Sequence, residues 1–278
     1  MFEADGTATS TVRRDARSKQ TVQRLSQLGV ELELSVVRES FNSLSSEITA
    51  GHDDGFDAPY EEWIAILIER LAPELAGKID STEIAHIGKL VDQTFLDTPP
   101  QLLDGTKELL GELKNRGLKI GLISNTGLTS PQTYSEWFSE HGILDGFDFL
   151  AFSNGQSVAK PDAAIFEVTL TNLGIDASRS LHVGDNMHTD VAGAAAVGMS
   201  TVWVRGGTNS PVETTVEPNY SVDSAIELPT IVDDWLASLD GGMTGAGGLY
   251  MVIATGIDHP QPVDFPSASE GSGGRGAR

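Results

Sequence analysis

Residues 180–194 constrain the fold more than any other part of the chain. Their first residues are apolar enough for a buried strand, which stops at Gly184 and leaves Asp185 at the strand end. A helix of small residues begins near Asp190 and is closed by Gly198. In an open α/β sheet, ligands bind beyond the carboxyl ends of the strands, and carboxylate oxygens suit Mg²⁺. The two carboxylates therefore predict a polar site that can hold a metal.

The chain around this stretch alternates between short apolar runs and helical patterns. From residue 104 to residue 239 the pattern predicts strands at 118–123, 147–152, 180–184, 201–204 and 220–222, with helices between them. Such alternation is typical of an α/β fold with a doubly wound parallel sheet. Pro161 is expected in the first turn of one of these helices, and Gly174 at its end.

Residues 13–100 have a different sequence pattern, in which apolar residues recur at helical spacing and no convincing strand is found. Four helices are predicted, with Ser81 as the N-cap of the fourth. We expect them to form a helical module inserted into the chain, its apolar stripes packed as a core. The predicted domains are an α/β core of residues 1–12 and 101–239, a helical cap of 13–100, and a tail of 240–278.

The tail is rich in Gly, Pro and Ser and is expected to be flexible. Its glycines at 241–248 superficially resemble a phosphate loop, but they lack the strand-turn-helix context that such a loop needs. The apolar run at 249–254 predicts a short edge strand or an adhesive segment.

Composition limits the possible functions. The 278 residues include 18 Lys and Arg against 40 Asp and Glu, which gives a net charge of -22 and argues against nucleic-acid or acidic-membrane partners. The absence of Cys excludes disulfides and thiolate chemistry. No apolar run approaches the ~20 residues of a membrane span, and no signal peptide is evident, so we expect a cytoplasmic protein. The sequence does not fix the oligomeric state.

Polar residues recur where the predicted strands end or loops begin, at Asp5, Ser124, Lys160, Asp185 and Asp190. The ends of parallel strands meet at one edge of the sheet. A Ser hydroxyl can bind phosphoryl oxygens, a Lys can neutralise transferring charge, and paired carboxylates can bind Mg²⁺. Together these residues predict a phosphoryl-transfer site.

Three of these stretches resemble motifs of the haloacid dehalogenase-like (HAD) hydrolase superfamily: Ser124-Asn125-Thr126-Gly127, Lys160-Pro161 and Gly184-Asp185-x-x-x-x-Asp190. The resemblance covers roughly residues 1–239, and the helical module stands where that family carries its cap. It implies a Rossmann-like core, Mg²⁺ and phosphoryl transfer through an acyl-phosphate intermediate. Ser124 and Asn125 would then bind substrate, Lys160 would steady the nucleophile and the phosphoryl group, and Asp185 would ligate Mg²⁺, with Asp190 supporting the metal shell or the lysine.

The family's first motif, Asp-x-Asp-x-Thr, is altered in this chain. Aligning Gly6-Thr7 places Asp5 at the acid/base position but Glu3 at the nucleophile, and both would also be metal ligands by the resemblance. The apolar strand that should precede them, central in a doubly wound sheet, is missing. A Glu carboxylate is displaced by roughly 1 Å, which can reduce the rate about 10²-fold.

The leading hypothesis is a Mg²⁺-dependent phosphatase that acts on a small phosphorylated metabolite. The dehalogenase branch fits less well, because a C–Cl substrate has no phosphoryl charge and leaves Asp5 and Asp185 with little use. A second hypothesis is a catalytically weak or inactive member that binds a phosphorylated ligand or a partner. A third is a degraded copy, or a chain whose stated start lies downstream of the true one.

Two histidines flank the site stretch. His182 lies within the predicted strand and is interpreted as a hydrogen-bonded core residue, and His188 as a loop residue. Neither forms a metal-binding pair preferred to Asp185 and Asp190.

Overall fold

The computed structural model describes residues 7–75, 77–205, 212–240 and 250–254. Glu3 and Asp5, the predicted nucleophile and acid/base, lie outside the described residues. In the described part of the chain, no helix combines the length and hydropathy that crossing a membrane requires.

Four helices form the N-terminal module, as the apolar spacing predicts: α1 (Thr7–Gln27), α2 (Leu34–Asp53), α3 (Tyr60–Leu71) and α4 (Ser81–Asp97). α1 packs against α2 and α4, and α3 packs against α2 and α4. One hydrophobic core joins them, with Leu25, Phe41, Leu67 and Val91 at its centre. The module is therefore held together by its own apolar faces.

Two predicted helix starts are corrected by the structure. Asp80, not Ser81, caps α4, and its carboxylate accepts the N–H of the third helical residue at 3.0 Å. The helix predicted to open at Pro161 begins two residues later, because Asp162 caps it by accepting the Ala164 N–H at 2.8 Å. In both cases an Asp outcompetes the predicted residue, since its carboxylate meets the first N–H groups directly.

A parallel sheet of six described strands forms the second part: β1 (Lys119–Ser124), β2 (Phe149–Phe152), β3 (Ser180–Gly184), β4 (Ser200–Val204), β5 (Tyr220–Val222) and β6 (Tyr250–Ala254). The strand order is β2-β1-β6-β3-β4-β5, and every pair is parallel. This arrangement confirms the predicted α/β class with a doubly wound sheet.

Helices cover both faces of the sheet: α5 (Thr106–Asn115), α6 (Pro131–Glu140), α7 (Ser153–Gln156), α8 (Ala163–Leu173), α9 (Gly193–Ala196) and α10 (Leu228–Asp240). On one face α5, α6 and α10 pack on the sheet, and on the other α8 and α9 do so. β1 shows the alternation directly, because Ile120 and Leu122 join the first core and Ile123 the second. Because both faces of a parallel strand are buried in this way, its sequence is an almost continuous run of apolar residues.

The apolar run near the C-terminus is a central strand, which corrects the expectation of an edge strand or adhesive segment. β6 lies between β1 and β3 and pairs with both. It occupies the middle of the sheet. Pairing between segments so distant in the chain is not encoded in local periodicity.

Candidate active site

The carboxyl ends of the parallel strands place the predicted site residues at one edge of the sheet. β1 ends at Ser124, which is fully buried, and β3 ends at Gly184, immediately before Asp185. Lys160 reaches the same edge, since its Nζ donates to the Ile123 carbonyl at 3.1 Å. The structure thus gathers Ser124, Lys160 and Asp185, which are far apart in sequence.

Lys160 forms a buried ion pair. Its side chain is 3% exposed, and its Nζ lies 2.7 Å from Asp190 Oδ1. A buried ammonium is stable only when it is paired and hydrogen-bonded, and here Asp190 and the Ile123 carbonyl meet both conditions. The pair holds one positive charge in place beside the end of β1.

Asp190 uses both carboxylate oxygens within the protein. Oδ1 faces Lys160 and His182, and Oδ2 accepts the backbone N–H groups of Asp185 and Asn186 at 3.1 and 3.0 Å. Burial alone would raise its pKa, but the Lys160 ammonium and His182 outweigh that and hold the pKa of Asp190 well below its ordinary value. The geometry pairs Asp190 with the lysine and with the backbone after β3, and the lysine is one of the two partners that the resemblance implied for it. Its role in the metal shell stays a prediction.

His182 lies within hydrogen-bonding distance of Asp190 in the core. Its Nε2 lies 3.4 Å from Asp190 Oδ1, and its ring meets Phe166 edge-on with centroids 5.2 Å apart. Burial lowers the pKa of His182, and the neighbouring Lys160 charge also disfavours protonation. A neutral ring with its proton on Nε2 donates to Asp190, which agrees with the core position read from the sequence.

Gly184 allows the strand end and Asp190 to approach each other. A Cβ built on Gly184 would overlap the Asp190 side chain. Only glycine lets Oδ2 reach the two backbone N–H groups that follow β3. The glycine before Asp185 is therefore required by packing at the site.

Asn125 ties β1 to the lysine segment. Its Nδ2 donates to the Lys160 carbonyl at 2.9 Å, and its Oδ1 accepts the Lys160 N–H at 2.8 Å. Because both polar atoms of the amide bond to the Lys160 backbone, the structure gives Asn125 a positioning role. The sequence predicted that it binds substrate.

Ser153 and Asn154, at the start of α7, were not identified from the sequence. Ser153 Oγ accepts the Thr126 N–H at 2.8 Å, and Asn154 Nδ2 donates to the Thr129 carbonyl at 2.9 Å. They fix the loop that follows Ser124. The sequence did contain a signal for them, because both are polar and directly follow the apolar strand predicted at 147–152. The same pattern, a polar residue at a strand end, indicated Ser124.

The loop between α2 and α3 docks on the core beside the site. The Ala159 N–H donates to the Gly55 carbonyl at 2.9 Å, Phe56 forms an antiparallel bridge with Val158, and His188 Nε2 lies 2.9 Å from the Asp53 carbonyl. These contacts attach the helical module to the segment that carries Lys160. His188 thus contacts the cap, a role that its loop position alone did not reveal.

The base of that loop is fixed by a buried polar cluster. Asp57 Oδ2 lies 3.0 Å from His52 Nε2, while Asp57 Oδ1 accepts the Trp63 Nε1–H at 2.7 Å and the Ala58 N–H at 2.8 Å. A shape imposed by so many hydrogen bonds is rigid. The loop therefore meets the core as a preformed surface.

Asp185 is the residue at this edge best suited to a hard cation. Its side chain is half-buried, its N–H donates to Asp190, and its carbonyl accepts the Trp203 Nε1–H at 3.0 Å. These two hydrogen bonds hold the Asp185 backbone at the strand end, and its carboxylate oxygens are of the kind that Mg²⁺ prefers. Among the described residues, however, no group of three His, Asp or Glu side chains could hold a metal ion. The assignment of Asp185 as a metal ligand therefore stays a prediction.

The family profile described as haloacid dehalogenase-like hydrolase matches residues 4–198. This chain belongs to the haloacid dehalogenase-like hydrolases. The match includes all three stretches that carry the resemblance, and it confirms the family assignment made from them.

Curated relatives of this hydrolase carry differing names. It is 37% identical over 115 residues to an (S)-2-haloacid dehalogenase of Pseudomonas sp. (strain YL), covering 41% of this chain and 48% of the relative. It is 33% identical over 103 residues to a glyceraldehyde 3-phosphate phosphatase of Pyrococcus abyssi, covering 37% and 42%. It is 32% identical over 149 residues to a pyrimidine 5′-nucleotidase of Escherichia coli, covering 52% and 64%. The chain thus spans about half the length of the curated relatives it matches.

Solved structures support the fold of this hydrolase. A 2-haloacid dehalogenase from Pseudomonas syringae superposes with a TM-score of 0.59 at 20% identity, covering 84% of this chain and 94% of that one. A HAD phosphatase from Thermococcus onnurineus superposes with a TM-score of 0.52 at 22% identity, covering 80% and 89%. At these identities the likeness establishes the architecture, and substrate choice must be argued from the site.

Proposed function

We propose that this chain is a Mg²⁺-dependent phosphatase that acts on a small phosphorylated metabolite. The observation that carries the proposal is the buried Lys160–Asp190 pair, which holds an ammonium at the end of β1 beside Ser124. A cation fixed in a site with little water stabilises negative charge strongly. A phosphoryl group carries such charge throughout its transfer, so it gains most from this lysine.

The residues divide the work of phosphoryl transfer among them. The Ser124 hydroxyl would bind phosphoryl oxygens, and the Lys160 ammonium would neutralise their charge. Asp185 would hold Mg²⁺, which would supply further charge neutralisation at the phosphoryl oxygens. The predicted nucleophile Glu3 would attack phosphorus as the P–O bond to the leaving alcohol breaks, with Asp5 protonating the leaving oxygen. Water would then hydrolyse the acyl phosphate and release inorganic phosphate.

The cap supports a small substrate. The docked loop between α2 and α3 lies against Val158 and Ala159, next to the lysine, and is held there by backbone hydrogen bonds. A wall so close to the phosphate-binding residues restricts the room for the leaving group. Two relatives are named for a triose phosphate and for pyrimidine nucleotides, so a triose phosphate and a nucleoside 5′-monophosphate are suitable first substrates.

The dehalogenase activity named for another relative suits this site less well. A haloacid presents no phosphoryl charge, so it would make little use of a carboxylate such as Asp185 at the sheet edge. The proposal therefore ranks phosphomonoester hydrolysis above carbon–halogen cleavage.

A second candidate is a catalytically weak member of the family that binds a phosphorylated ligand. The strand between β1 and β3 is β6, whose five described residues, Tyr250–Ala254, include no carboxylate. Together with Glu at position 3, this favours retained binding with reduced turnover.

The proposal is tested by phosphate release from p-nitrophenyl phosphate, glyceraldehyde 3-phosphate and a pyrimidine 5′-monophosphate, with Mg²⁺ or with EDTA. We expect Mg²⁺-dependent turnover, raised by Glu3→Asp and lowered about 10²-fold by Asp185→Asn. Asp104→Asn, at an exposed position, is the matched control and should leave turnover unchanged.

Two other outcomes would redirect the proposal. Folded protein that releases no phosphate, either as it stands or with Glu3→Asp, while still binding a phosphorylated ligand, favours the second candidate. Chloride release from 2-chloropropionate without phosphate release favours the dehalogenase branch.

A further inference from the structure

The cap loop between α2 and α3 contacts two core segments that are far apart in the sequence. The Asp53 carbonyl accepts a hydrogen bond from His188 Nε2 at 2.9 Å, in the turn that follows β3. The Gly55 carbonyl accepts the Ala159 N–H at 2.9 Å, in the segment that precedes α8. One short loop of the cap thus holds both segments.

Each of these segments carries one half of the buried ion pair of the site. Lys160 directly follows Ala159, and Asp190 stands two residues after His188. The Lys160 and Asp190 side chains are only 3% and 2% exposed, with Nζ and Oδ1 2.7 Å apart. Because a buried pair depends on close geometry, a small shift of either segment would weaken it. The two loop contacts stand where they limit such a shift.

The turn after β3 connects the His188 side chain firmly to Asp190. Asn186 Oδ1 accepts the N–H groups of His188 and Thr189 at 2.9 and 3.0 Å. The Asn186 carbonyl accepts the Asp190 N–H at 3.0 Å, and the Asn186 N–H donates to Asp190 Oδ2 at 3.0 Å. A turn closed by such a network is rigid, so a displacement of His188 would displace the Asp190 carboxylate as well.

The contact between His188 and the cap has a defined chemical character. A carbonyl oxygen only accepts hydrogen bonds, so Nε2 of His188 carries the proton in the bond to Asp53. The contact therefore requires a donor at this reach from the backbone. An apolar side chain of the same length would fill the space without making the bond.

We propose that His188 is a positioning residue, whose hydrogen bond to the cap holds Asp190, and through it the Lys160 ammonium, in the geometry that binds a phosphoryl group. The cap thereby takes part in forming the site. The consequence for turnover rests on the proposed function, whereas the consequence for the ion pair holds whether or not the chain is a phosphatase.

Chemical labelling of lysine in the full-length chain tests the proposal without an activity assay. Acetic anhydride reacts with amines that solvent reaches, so buried Lys160 should be labelled slowly and exposed Lys78 rapidly. In His188→Met, which keeps the length but has no donor, we expect labelling of Lys160 relative to Lys78 to rise at least about tenfold. His188→Gln restores an amide N–H at the same reach and should stay within about twofold of the unmodified chain.

A control variant separates positioning from a general loss of stability. Val232→Ala leaves a cavity beneath α10, on the opposite face of the sheet from α8, and should destabilise the fold without exposing Lys160. Unchanged labelling of Lys160 in His188→Met would overturn the proposal. An equal rise in His188→Met and Val232→Ala would also overturn it, because that result would reflect unfolding of the whole chain.

Turnover of p-nitrophenyl phosphate with Mg²⁺ separates this proposal from the proposed function. We expect kcat to fall about tenfold in His188→Met and to be restored in His188→Gln. If the chain releases no phosphate but Lys160 is labelled as expected, the phosphatase assignment fails and the positioning role of His188 is supported. If the chain is a phosphatase and His188→Met changes neither labelling nor kcat, the positioning role alone is overturned.

Discussion

At the scale of single residues, Gly184 carries the tightest steric constraint in the site. An added methyl would collide with Asp190, so Gly184→Ala must separate the strand end from the carboxylate that holds Lys160. We expect the free energy of unfolding to fall by about 2 kcal/mol or more. Gly111→Ala, at an exposed position in α5 with no atom within 4 Å of the added carbon, should instead raise it by up to about 1 kcal/mol. Urea unfolding measures both, and equal effects would contradict the close approach.

Two buried residues give stability opposite dependences on pH. Burial lowers the pKa of His182 from 6.5, so its contribution to stability is present above pH 6.5 and is lost as the pH falls through the lowered folded value. Burial raises the pKa of Asp92 from 3.8, even though Ser130 donates to it. That contribution is present below pH 3.8 and is lost as the pH rises through the raised value.

The His182 effect is measurable in the mildly acidic range. Between pH 6.5 and pH 5 we expect the free energy of unfolding to fall by up to about 1.4 kcal/mol per pH unit, the slope for one proton. His182→Gln should remove most of that slope. Asp92→Asn should keep it or steepen it, because an opposing contribution is lost. Urea titrations across this range decide the matter, and an unchanged slope in the His182 variant would rule out His182 as the source.

At the scale of elements, the loop between α2 and α3 attaches the cap to the core. Gly55 has φ of +78°, and an added Cβ would lie 2.8 Å from Asp162 Cβ, whereas Gly77 has φ of +70° and open space around it. Alanine at either position is strained by about 1–2 kcal/mol, so any difference between them comes from the docking contact. We expect only Gly55→Ala to speed amide exchange at residues 157–160, by about tenfold or more. Equal exchange in both variants would show that the loop does not hold the core segment.

The local sequence pattern predicts most of the helices and strands but only some of the residue roles at the candidate site. The helices of the cap and the strands from β1 to β5 follow from periodicity, and Ser124, Lys160 and Asp185 follow from the rule that parallel strand ends converge. Asn125 was assigned to substrate binding because the backbone groups that engage it belong to a segment distant in sequence. Asp190 was left between the metal shell and the lysine because its backbone partners and the Lys160 ammonium meet it only in the folded chain. The central position of β6 depends on pairing with β1 across more than a hundred residues, which no periodicity encodes.

At the scale of the whole molecule, the net charge of -22 destabilises the folded state, because folding brings the excess carboxylates closer together and they repel one another. Raising KCl from 0.05 to 1 M shortens the screening length to about 3 Å and relieves that repulsion. Salt also weakens surface ion pairs such as Arg70–Glu47 and Lys114–Asp148, but each is worth only about 0–1 kcal/mol. Relief of repulsion should therefore dominate, with the melting temperature rising about 2–4 °C for each kcal/mol relieved.

The same titration near pH 4.4, the isoelectric point expected from the composition, supplies the control. There the net charge is close to zero, so the gain from KCl should be small if repulsion is its cause. A gain of equal size at both pH values would indicate general salting-out of apolar surface instead. A melting temperature that falls with KCl at pH 7 would mean that the charges are arranged in favourable pairs and that the acidic excess does not destabilise this fold.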